Sequence, residues 1–267
     1  MRDGLANAIA SALDLETTHY RPAIVLLNGE YWGIQNLRDR QDKFYLEDKF
    51  GVDPANIDLI ELNRNVTEGD SDHYDLMLEF MRENPVRDPQ NYAHVQTLMD
   101  TANFATYNAV EIFCANTDWP QNNIKYWRPR TPEGRWRWLL YDLDFGFGGN
   151  TGVNNNTLNH AMKGSGWGTF IFRELMTNAE FKQDFTNGYA DIMNSVFTPD
   201  NMLGILSGFA AQADPEIDRH FSRWSGTRTK WEANLQNMGA FINQRHAYAR
   251  GHVVSELGFV GEYQLDL

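Results

Sequence analysis

The sequence predicts an α+β fold, with short antiparallel strands in the first part of the chain and helices in the rest. Two hairpin signals account for the strands: Asn28-Gly29 separates two apolar runs, and a TPEG turn at residues 131–134 separates two more. From Trp167 onwards, amphipathic stretches with helical spacing follow one another. A chain of 267 residues can bury a large core, as one domain or as two packed lobes.

Composition argues against several classes of protein. The net charge of -13 disfavours sequence-independent binding to nucleic acid, which needs clusters of Lys and Arg, so no nucleic-acid partner is expected. Cys114 is the only cysteine, which excludes an internal disulfide framework and a zinc site built from several thiolates. His160 and His220 are isolated and no H-E-x-x-H motif occurs, so a zinc hydrolase is not expected. The sequence has no run of 18 apolar residues, so we expect no membrane span.

The first elements follow from local patterns. An apolar stripe predicts an amphipathic helix near the start, and we expect that residues covering this stripe lie upstream of Met1. Strands are predicted at 23–27 and 31–37, joined by the Asn-Gly turn. The stretch DKFYLEDKFG then predicts a short helix that stops at Gly51.

The middle of the chain alternates apolar and polar segments. We expect, in order, a strand at 56–62, a helix at 71–84, a longer helix at 91–113, a polar loop in which Pro120 blocks further helix, the second hairpin, one long Gly- and Asn-rich loop at 149–168, and helices to the end.

Four polar residues carry the chemistry. Asp118 and Asn123 stand five apart in the loop NTDWPQNN, the D-x-x-x-x-N spacing of a protein-kinase catalytic loop, where Asp is the base and Asn binds metal. Asp142 and Asp144, in D-L-D-F-G, follow the second hairpin and offer the oxygen ligands that magnesium prefers. The alternative is that Asp118 only caps a turn and that the two later acids are solvated strand-end residues.

Other conspicuous residues have structural explanations. Trp136 and Trp138 alternate as on one strand face and are expected in the core rather than in a sugar site. Cys114 ends an apolar helix, which predicts a buried, inert thiol. Asp70, after Gly69, is expected to bond its own backbone in a polar turn.

Several stretches resemble the CotH family of atypical, spore-coat-type protein kinases. The specific part of the resemblance is the pair of motifs around Asp118 and Asp142, and the match extends to about Arg245. The stretches that carry it are RDGLANAI, LNGEYWGIQNLRDRQDKF, FGVDPANIDLIE, VTEGDSDHYDLM, NTDWPQNNIKYW, WRWLLYDLDFGFGG, ELMTNAEFKQDF and EIDRHFSRW.

The resemblance implies a compact kinase-like fold that uses ATP with Mg²⁺ or Mn²⁺ and phosphorylates Ser or Thr of secreted or coat proteins. It implies an extracellular, cell-surface or spore-coat location. Asp118 would be the catalytic-loop aspartate, with Asn123 contributing to catalysis and to the metal site. Asp142 and Asp144 would hold the metal, with Asp142 slightly favoured as the main ligand.

The kinase interpretation divides the chain into two lobes. Residues 1–42 would be a truncated small lobe that consists of the first helix, the hairpin and a connection beside the adenine. The first helix would carry an ion-pair glutamate. Residues 43–267 would be the mainly helical large lobe. No glycine-rich phosphate loop or Val-Ala-Ile-Lys strand precedes the first helix, and no glutamate occurs before Glu16. The phosphate charge would then be neutralised by metal or by Arg38, Arg40 or Lys125.

Three functions remain open at this level. The first is a metal-dependent kinase acting on a protein hydroxyl. The second is a non-catalytic structural or surface module of the same family, favoured by the absent glycine loop and lysine. The third is a metal-dependent phosphohydrolase that uses the same acids. The sequence does not determine the oligomeric state.

Overall fold

The computed structural model describes residues 1–260 and shows a mixed α+β fold, which confirms the predicted class. The helices, numbered along the chain, are α1 (Arg2–Ala10), α2 (Lys43–Phe50), α3 (Asp72–Glu83), α4 (Pro89–Leu98), α5 (Thr101–Cys114), α6 (Thr157–Lys163), α7 (Phe170–Leu175), α8 (Ala179–Asn194), α9 (Pro199–Ala213), α10 (Ile217–Arg223) and α11 (Arg228–Leu257). The strands are β1 (Tyr20–Leu27), β2 (Glu30–Arg38), β3 (Ile57–Glu61), β4 (Asn65–Glu68), β5 (Lys125–Pro129) and β6 (Arg137–Leu139).

Strands β1 and β2 form a separate two-stranded hairpin, as the Asn-Gly signal predicts. Asn28 and Gly29 have φ values of 52° and 83°, which is the left-handed backbone that a type I′ turn requires. The hairpin packs on the C-terminal helices α9 and α10. Trp224 donates from Nε1 to the Trp32 carbonyl at 2.6 Å, and His220 Nδ1 accepts from the Ile34 amide at 3.1 Å. The hairpin is therefore attached to the helical half.

The second sheet is antiparallel and has the strand order β4-β3-β5-β6, which includes the predicted second hairpin. One face packs on helix α5, where Trp138 contacts Phe104 with ring centroids 4.5 Å apart. Trp136 and Trp138 have no solvent exposure, so both lie in the core as predicted. The short strand β4 was not expected from sequence; it pairs with the edge of β3 and leaves a turn at residues 62–64.

The prediction of one helix at 91–113 is wrong, because two helices occupy this range. Helix α4 ends before Met99, and the Asp100 side chain then caps α5 by accepting from the Asn103 amide at 3.1 Å. The break is held by strand-like pairing: the Asp100 amide donates to the Trp136 carbonyl at 2.9 Å, and the Trp136 amide donates to Leu98 at 3.0 Å. Helical periodicity alone does not reveal such a long-range contact.

The prediction of one long loop at 149–168 is also wrong, since helix α6 lies within it. Asn156 caps α6 by accepting from the Asn159 amide at 2.9 Å. Asparagine is common both in loops and at helix N-caps, and Asn156 is an N-cap.

Helix α11 is 30 residues long and contributes one deeply buried cation to the core. Arg245 donates to the carbonyl oxygens of Ile112 and Phe113 in the last turn of α5 and to those of Val153 and Asn155. These four contacts tie the C-terminal end of α5 to the loop that contains Val153 and Asn155. Arg245 thereby fixes the end of α5, from which the predicted catalytic loop departs.

The division into lobes at residues 42 and 43 stays a prediction, and residues 261–267 of the predicted large lobe lie outside the described residues. Within residues 1–260, no helix is long and apolar enough to cross a membrane.

Candidate active site

The predicted catalytic loop begins where α5 ends. Ala115 adopts left-handed backbone with φ 54° and stops the helix, and the buried Asn116 accepts from the Asp118 amide at 3.2 Å. The half-buried Asp118 carboxylate then receives two amide donors on its Oδ2 atom, from Asn122 and Asn123, each at 3.1 Å. Asp118 is therefore held by its own loop, with a defined orientation.

Asn123 connects this loop to the segment after β6. Its Nδ2 atom lies 3.1 Å from Asp118 Oδ2 and 3.2 Å from the Asp142 carbonyl oxygen. Asn116 also reaches the Asp142 carbonyl, at 3.5 Å. The structure thus brings Asp118, Asn123 and Asp142 together, although 24 positions separate the two aspartates.

Asp142 lies in a crowded acidic environment. Strand β6 ends at Leu139, so Asp142 belongs to the segment that follows it and has left-handed backbone with φ 56°. Burial raises the pKa of Asp142, and the nearby carboxylates of Asp144, Asp3 and Asp118 raise it further. A cation placed among these acids would relieve their mutual repulsion.

Asp144 is more exposed than Asp142 and forms part of the turn that closes the segment. Burial lowers the pKa of the Arg2 guanidinium, and the charge of Asp144 opposes that shift. Asp144 therefore lies near both Asp142 and the start of α1.

Asp3, on α1, is a residue of this site that sequence reasoning did not select. Its Oδ1 accepts from the Leu143 amide at 3.0 Å and from Asn7 at 3.0 Å, and its Oδ2 pairs with Arg38. Helix α1 contains no glutamate, so the expectation that it carries an ion-pair glutamate is wrong. Its charged contact is made by an aspartate with an arginine of β2.

The nearest glutamate after α1 has a different partner. Glu16 is fully buried and accepts from Arg137 at 2.6 Å, from Trp127 at 3.1 Å and from Asn103 at 2.8 Å. These contacts join the segment after α1 to the four-stranded sheet. Glu16 therefore has a structural role away from the Asp118–Asp142 contact.

A cleft of about 550 Å³ lies beside Asp142, and Arg38, Arg40 and Lys125 all line it. Its volume is within the range of about 300–1,000 Å³ that small-ligand sites occupy. The Arg38 side chain is 26% exposed and pairs with Asp3, whereas the Arg40 side chain is 90% exposed. The three basic residues predicted to bind the cofactor therefore line one cleft, and Arg40 extends into solvent.

Lys125 is already paired within this cleft. Its Nζ lies 2.6 Å from Glu61 on the neighbouring strand β3, donates to the Gln41 carbonyl at 3.2 Å, and lies 4.5 Å from the centre of the Tyr141 ring. Glu61 was not selected from the sequence; the cross-strand register of β3 and β5, which pairs these two residues, is the signal that would have found it. The site therefore contains a Lys–Glu pair on adjacent strands.

Glu111 lies beneath the loop as a fully buried carboxyl group on α5. Burial raises its pKa well above the ordinary value, although the hydrogen bond from Asn116 Nδ2 at 2.9 Å opposes that shift. Burial therefore favours the neutral form of Glu111 relative to an exposed glutamate. Sequence reasoning overlooked it because a single glutamate in an apolar helix has no motif.

The donor set fits a hard divalent cation of the kind that the resemblance implies. Residues 1–260 contain no group of three or more His, Cys, Asp or Glu side chains arranged to hold a metal ion. Magnesium usually takes only one or two protein carboxylates and completes its shell with water and phosphate oxygens. The half-buried carboxylate of Asp142, repelled by nearby acids, matches that requirement, and Asn123 lies against the backbone of the same residue.

The fold and the site define a mixed α+β protein in which a polar loop and an acidic segment meet beside a cleft that contains basic residues. Residues 1–249 match the family described as CotH kinase protein, and the chain belongs to that family. A search of the curated proteins finds no match to the sequence. Membership in a kinase family implies ATP as the phosphoryl donor.

Proposed function

We propose that this protein transfers the γ-phosphoryl group of ATP to a Ser or Thr hydroxyl of a protein substrate. The observation that carries the proposal is the contact of Asn123 Nδ2 with both Asp118 and the Asp142 carbonyl, at 3.1 Å and 3.2 Å. Phosphoryl transfer needs a base near the attacking hydroxyl and separate oxygen ligands for the metal on the phosphates. This contact holds the candidates for both tasks side by side.

Asp118 has the geometry for the base. Asn122 and Asn123 both bind its Oδ2, and no side chain among residues 1–260 donates a hydrogen bond to its Oδ1. Oδ1 is therefore the atom that accepts the proton of the substrate hydroxyl. The two amides orient the carboxylate and prevent its rotation away from the acceptor.

Asn123, Asp142 and Asp144 are the residues that would hold Mg²⁺ or Mn²⁺. When bound, the metal neutralises charge on the phosphate groups. Arg38 and Lys125 border the same cleft and orient the nucleotide through their positive charge, and Arg40 can fold over its opening. Because Asp3 and Glu61 pair with the first two, phosphate oxygens must share these cations with protein carboxylates.

The same pairing supports a second candidate function. A cleft whose lysine and inner arginine are neutralised by protein acids binds nucleotide weakly, as expected of a non-catalytic module. Resemblance to spore-coat-type kinases supports a location outside the cell for either function, and it supports secreted or coat proteins as substrates.

Substitution of Asp118 tests the proposal directly. Asp118→Ala should lower the rate of phosphotransfer to a generic protein acceptor by roughly 10²–10⁴, the usual contribution of a positioned base. The assay is transfer of labelled phosphate from ATP with manganese, and unchanged circular dichroism shows that the variant folds.

The contradicting outcomes separate the alternatives. Equal rates for Asp118→Ala and the unmodified chain would overturn the assignment of the base. Absence of both phosphotransfer and ATP hydrolysis in the unmodified chain would favour the non-catalytic module, whereas phosphate release without labelling of an acceptor would indicate a phosphohydrolase.

A further inference from the structure

A second concave site, which we call the arginine pocket, is lined by Arg64, Arg82 and Arg173. It lies among the turn after β3, helix α3 and the loop that precedes α7, and has a volume of about 180 Å³. Tyr74 and Trp167 also line it. This volume is about one third of that of the cleft beside Asp142, so the pocket suits a single side chain rather than a nucleotide.

The arginine pocket is positively charged on a protein whose net charge is -13. Three of its lining residues are arginines, and no Asp or Glu lines it. Asp75 pairs with Arg64, but no carboxylate among residues 1–260 lies within 4.0 Å of Arg82 or Arg173. Two guanidinium charges in the pocket are therefore not neutralised by the described part of the chain.

Arg173 also has a donor that requires a partner. Its Nε atom is buried and makes no hydrogen bond within the described residues. A buried polar atom without a partner costs free energy, and such atoms are rare in folded proteins. Arg82 is held in place with its guanidinium carbon 5.2 Å from the centre of the Phe170 ring. An anion in the pocket would compensate both free charges, whereas the buried Nε atom itself is not open to a ligand.

The chemistry of the pocket selects the ligand. Guanidinium groups bind carboxylate and phosphate oxygens through paired, charge-assisted hydrogen bonds. Aromatic rings beside them lower the local dielectric constant, which strengthens such bonds. The group that fits is therefore a carboxylate or a phosphate monoester carried on a side chain.

The arginine pocket adjoins the predicted catalytic loop. A Cβ atom added to Gly166, which lines the pocket, would lie 1.8 Å from Gln121 Nε2, and one added to Gly168 would lie 2.0 Å from the Pro120 carbonyl oxygen. The wall of the pocket therefore packs directly on the loop that contains Asp118. For the pocket to act on a substrate, a segment with its acceptor hydroxyl at Asp118 must reach this wall within a few residues, each of which spans about 3.3 Å when extended.

We propose that the arginine pocket binds an anionic side chain of the protein substrate, a carboxylate or a phosphate, located a few residues from the acceptor hydroxyl. The proposal rests on the proposed kinase function for the acceptor, but binding of the anionic side chain is measurable without catalysis. It assigns a substrate preference to this chain: acidic or already phosphorylated sequences.

The test uses peptides that differ at one position. Fluorescently labelled Ser-containing peptides carry Gln, Glu or phosphoserine at each of the four positions on either side of the acceptor, and fluorescence anisotropy measures their Kd for the full chain. At the favoured position, the anionic peptides should bind about tenfold more tightly than the Gln peptide, as a charge-assisted hydrogen bond implies. Comparison of Glu with phosphoserine distinguishes carboxylate from phosphate, and inorganic phosphate should compete with both.

Variants of the pocket provide the second part of the test. Arg82→Gln and Arg173→Gln should each remove most of the preference while leaving the affinity for the Gln peptide unchanged. Arg173→Lys should retain part of it, because it keeps the charge without the planar fork. Arg250→Gln, an exposed residue of α11 outside the pocket, is the matched control and should keep the full preference.

Each outcome bears on one proposal. Equal Kd values for the three peptides, no measurable binding of any anionic peptide, or a preference that survives in the Arg82→Gln/Arg173→Gln double variant would overturn the arginine pocket. An anionic preference without phosphotransfer from ATP would leave the pocket in place and reject the kinase function. Phosphotransfer without any preference for anionic peptides would support the kinase function and reject the arginine pocket.

Discussion

Asn116 is the residue through which the buried core reaches both polar segments of the site. It donates to Glu111 on one side, accepts from the Asp118 amide on another, and contacts the Asp142 carbonyl at 3.5 Å. Because Glu111 is inside α5, Asn116 is one link between this helix and the loop that contains Asp118; the hydrogen bond from Trp119 Nε1 to the Tyr107 hydroxyl, at 2.9 Å, is another. We therefore expect Glu111 to act as a positioning residue rather than a catalytic one.

Substitutions of Glu111 should separate positioning from simple packing. Glu111→Gln keeps an acceptor oxygen for Asn116 and should retain activity, whereas Glu111→Leu leaves a buried donor unsatisfied and should cost about 1–3 kcal/mol of stability together with a lower kcat. Urea unfolding and steady-state phosphotransfer measure the two effects. Equal kcat values for the Gln and Leu variants would contradict the positioning role.

The pH dependence of Glu111 has a defined sign. Burial raises the pKa of this carboxyl in the folded chain, so the folded state binds the proton more tightly than the unfolded state. The resulting stability is present at low pH and is lost as pH rises through the raised pKa. Glu111→Gln removes this dependence. The unfolding free energy of the variant minus that of the unmodified chain should therefore increase with pH. Glu79→Gln, on the exposed face of α3, is the control, and its difference should not change with pH in this way.

Asp142→Asn should make the folded chain more stable and should abolish the predicted function. The folded-state pKa of Asp142 is raised, chiefly by burial and then by Asp144 and Asp3, so ionisation destabilises the folded chain as pH rises above its ordinary pKa of about 3.9. The variant should therefore be more stable than the unmodified chain at pH 7, with a smaller difference near pH 4, and should lose manganese-dependent binding of ATP. Asparagine also tolerates the left-handed backbone at this position.

Urea unfolding at several pH values and ATP titration with and without manganese check both parts of this prediction. Asp191→Asn, an exposed site on α8, removes the same charge and is the control. Unchanged nucleotide affinity in Asp142→Asn would contradict the assignment of Asp142 to the metal.

At the scale of helices and strands, the features that depend on residues adjacent in sequence were predictable. The first hairpin follows from Asn28-Gly29, and the end of α2 follows from Gly51, which adopts the left-handed backbone with φ 65°. The break between α4 and α5 was not predictable, because it depends on pairing of the Met99–Asp100 segment with Trp136, 36 positions further along. Strand β4 was missed for the same reason: it is defined by its pairing with β3.

The loop before α7 provides a test at this scale. Gly168→Ala would place a Cβ atom 2.0 Å from the Pro120 carbonyl oxygen, so either this loop or the catalytic loop must move. We expect a loss of about 1–3 kcal/mol, as for other overpacked sites, together with reduced phosphotransfer. Unfolding by urea and the transfer assay measure the two effects.

Gly208→Ala is the matched control for this substitution. Gly208 lies inside α9, and its added Cβ would meet no atom within 4 Å, so alanine should stabilise the helix by about 0.5–1 kcal/mol. A Gly168→Ala variant with full stability and activity would show that the contact between the two loops does not constrain the catalytic loop.

At the scale of the whole molecule, the site is assembled from distant parts of the sequence. Motif spacing identified Asp118, Asn123 and Asp142, which the structure brings together, because each motif carries its chemistry locally. Asp3 and Glu61 could not be selected in this way, since their importance comes from pairing with Arg38 and Lys125 across the fold. Charge pairs of this kind belong to the tertiary structure and have no local signature.

The decisive property of the whole molecule is whether the cleft binds ATP despite its internal ion pairs. A ligand at a hundred times its Kd stabilises a folded protein by about 2.7 kcal/mol, which corresponds to a rise in Tm of about 5–10 °C for a chain of this size. We expect this rise for the unmodified chain with ATP and manganese and for Asp118→Ala, because in the proposed mechanism Asp118 acts on the acceptor rather than on the nucleotide. We expect none for Asp142→Asn, which lacks the metal ligand.

Replacement of the cations then shows how the cleft neutralises phosphate. Lys125→Met should reduce the rise in Tm strongly if Lys125 leaves Glu61 for the phosphates, and Arg40→Gln should reduce it less, since the Arg40 side chain is 90% exposed. A chain that shows no rise with ATP and manganese at millimolar concentration, while remaining fully folded, would have to be regarded as the non-catalytic module. The paired state of Lys125 and Arg38 would then be its resting arrangement rather than one that nucleotide displaces.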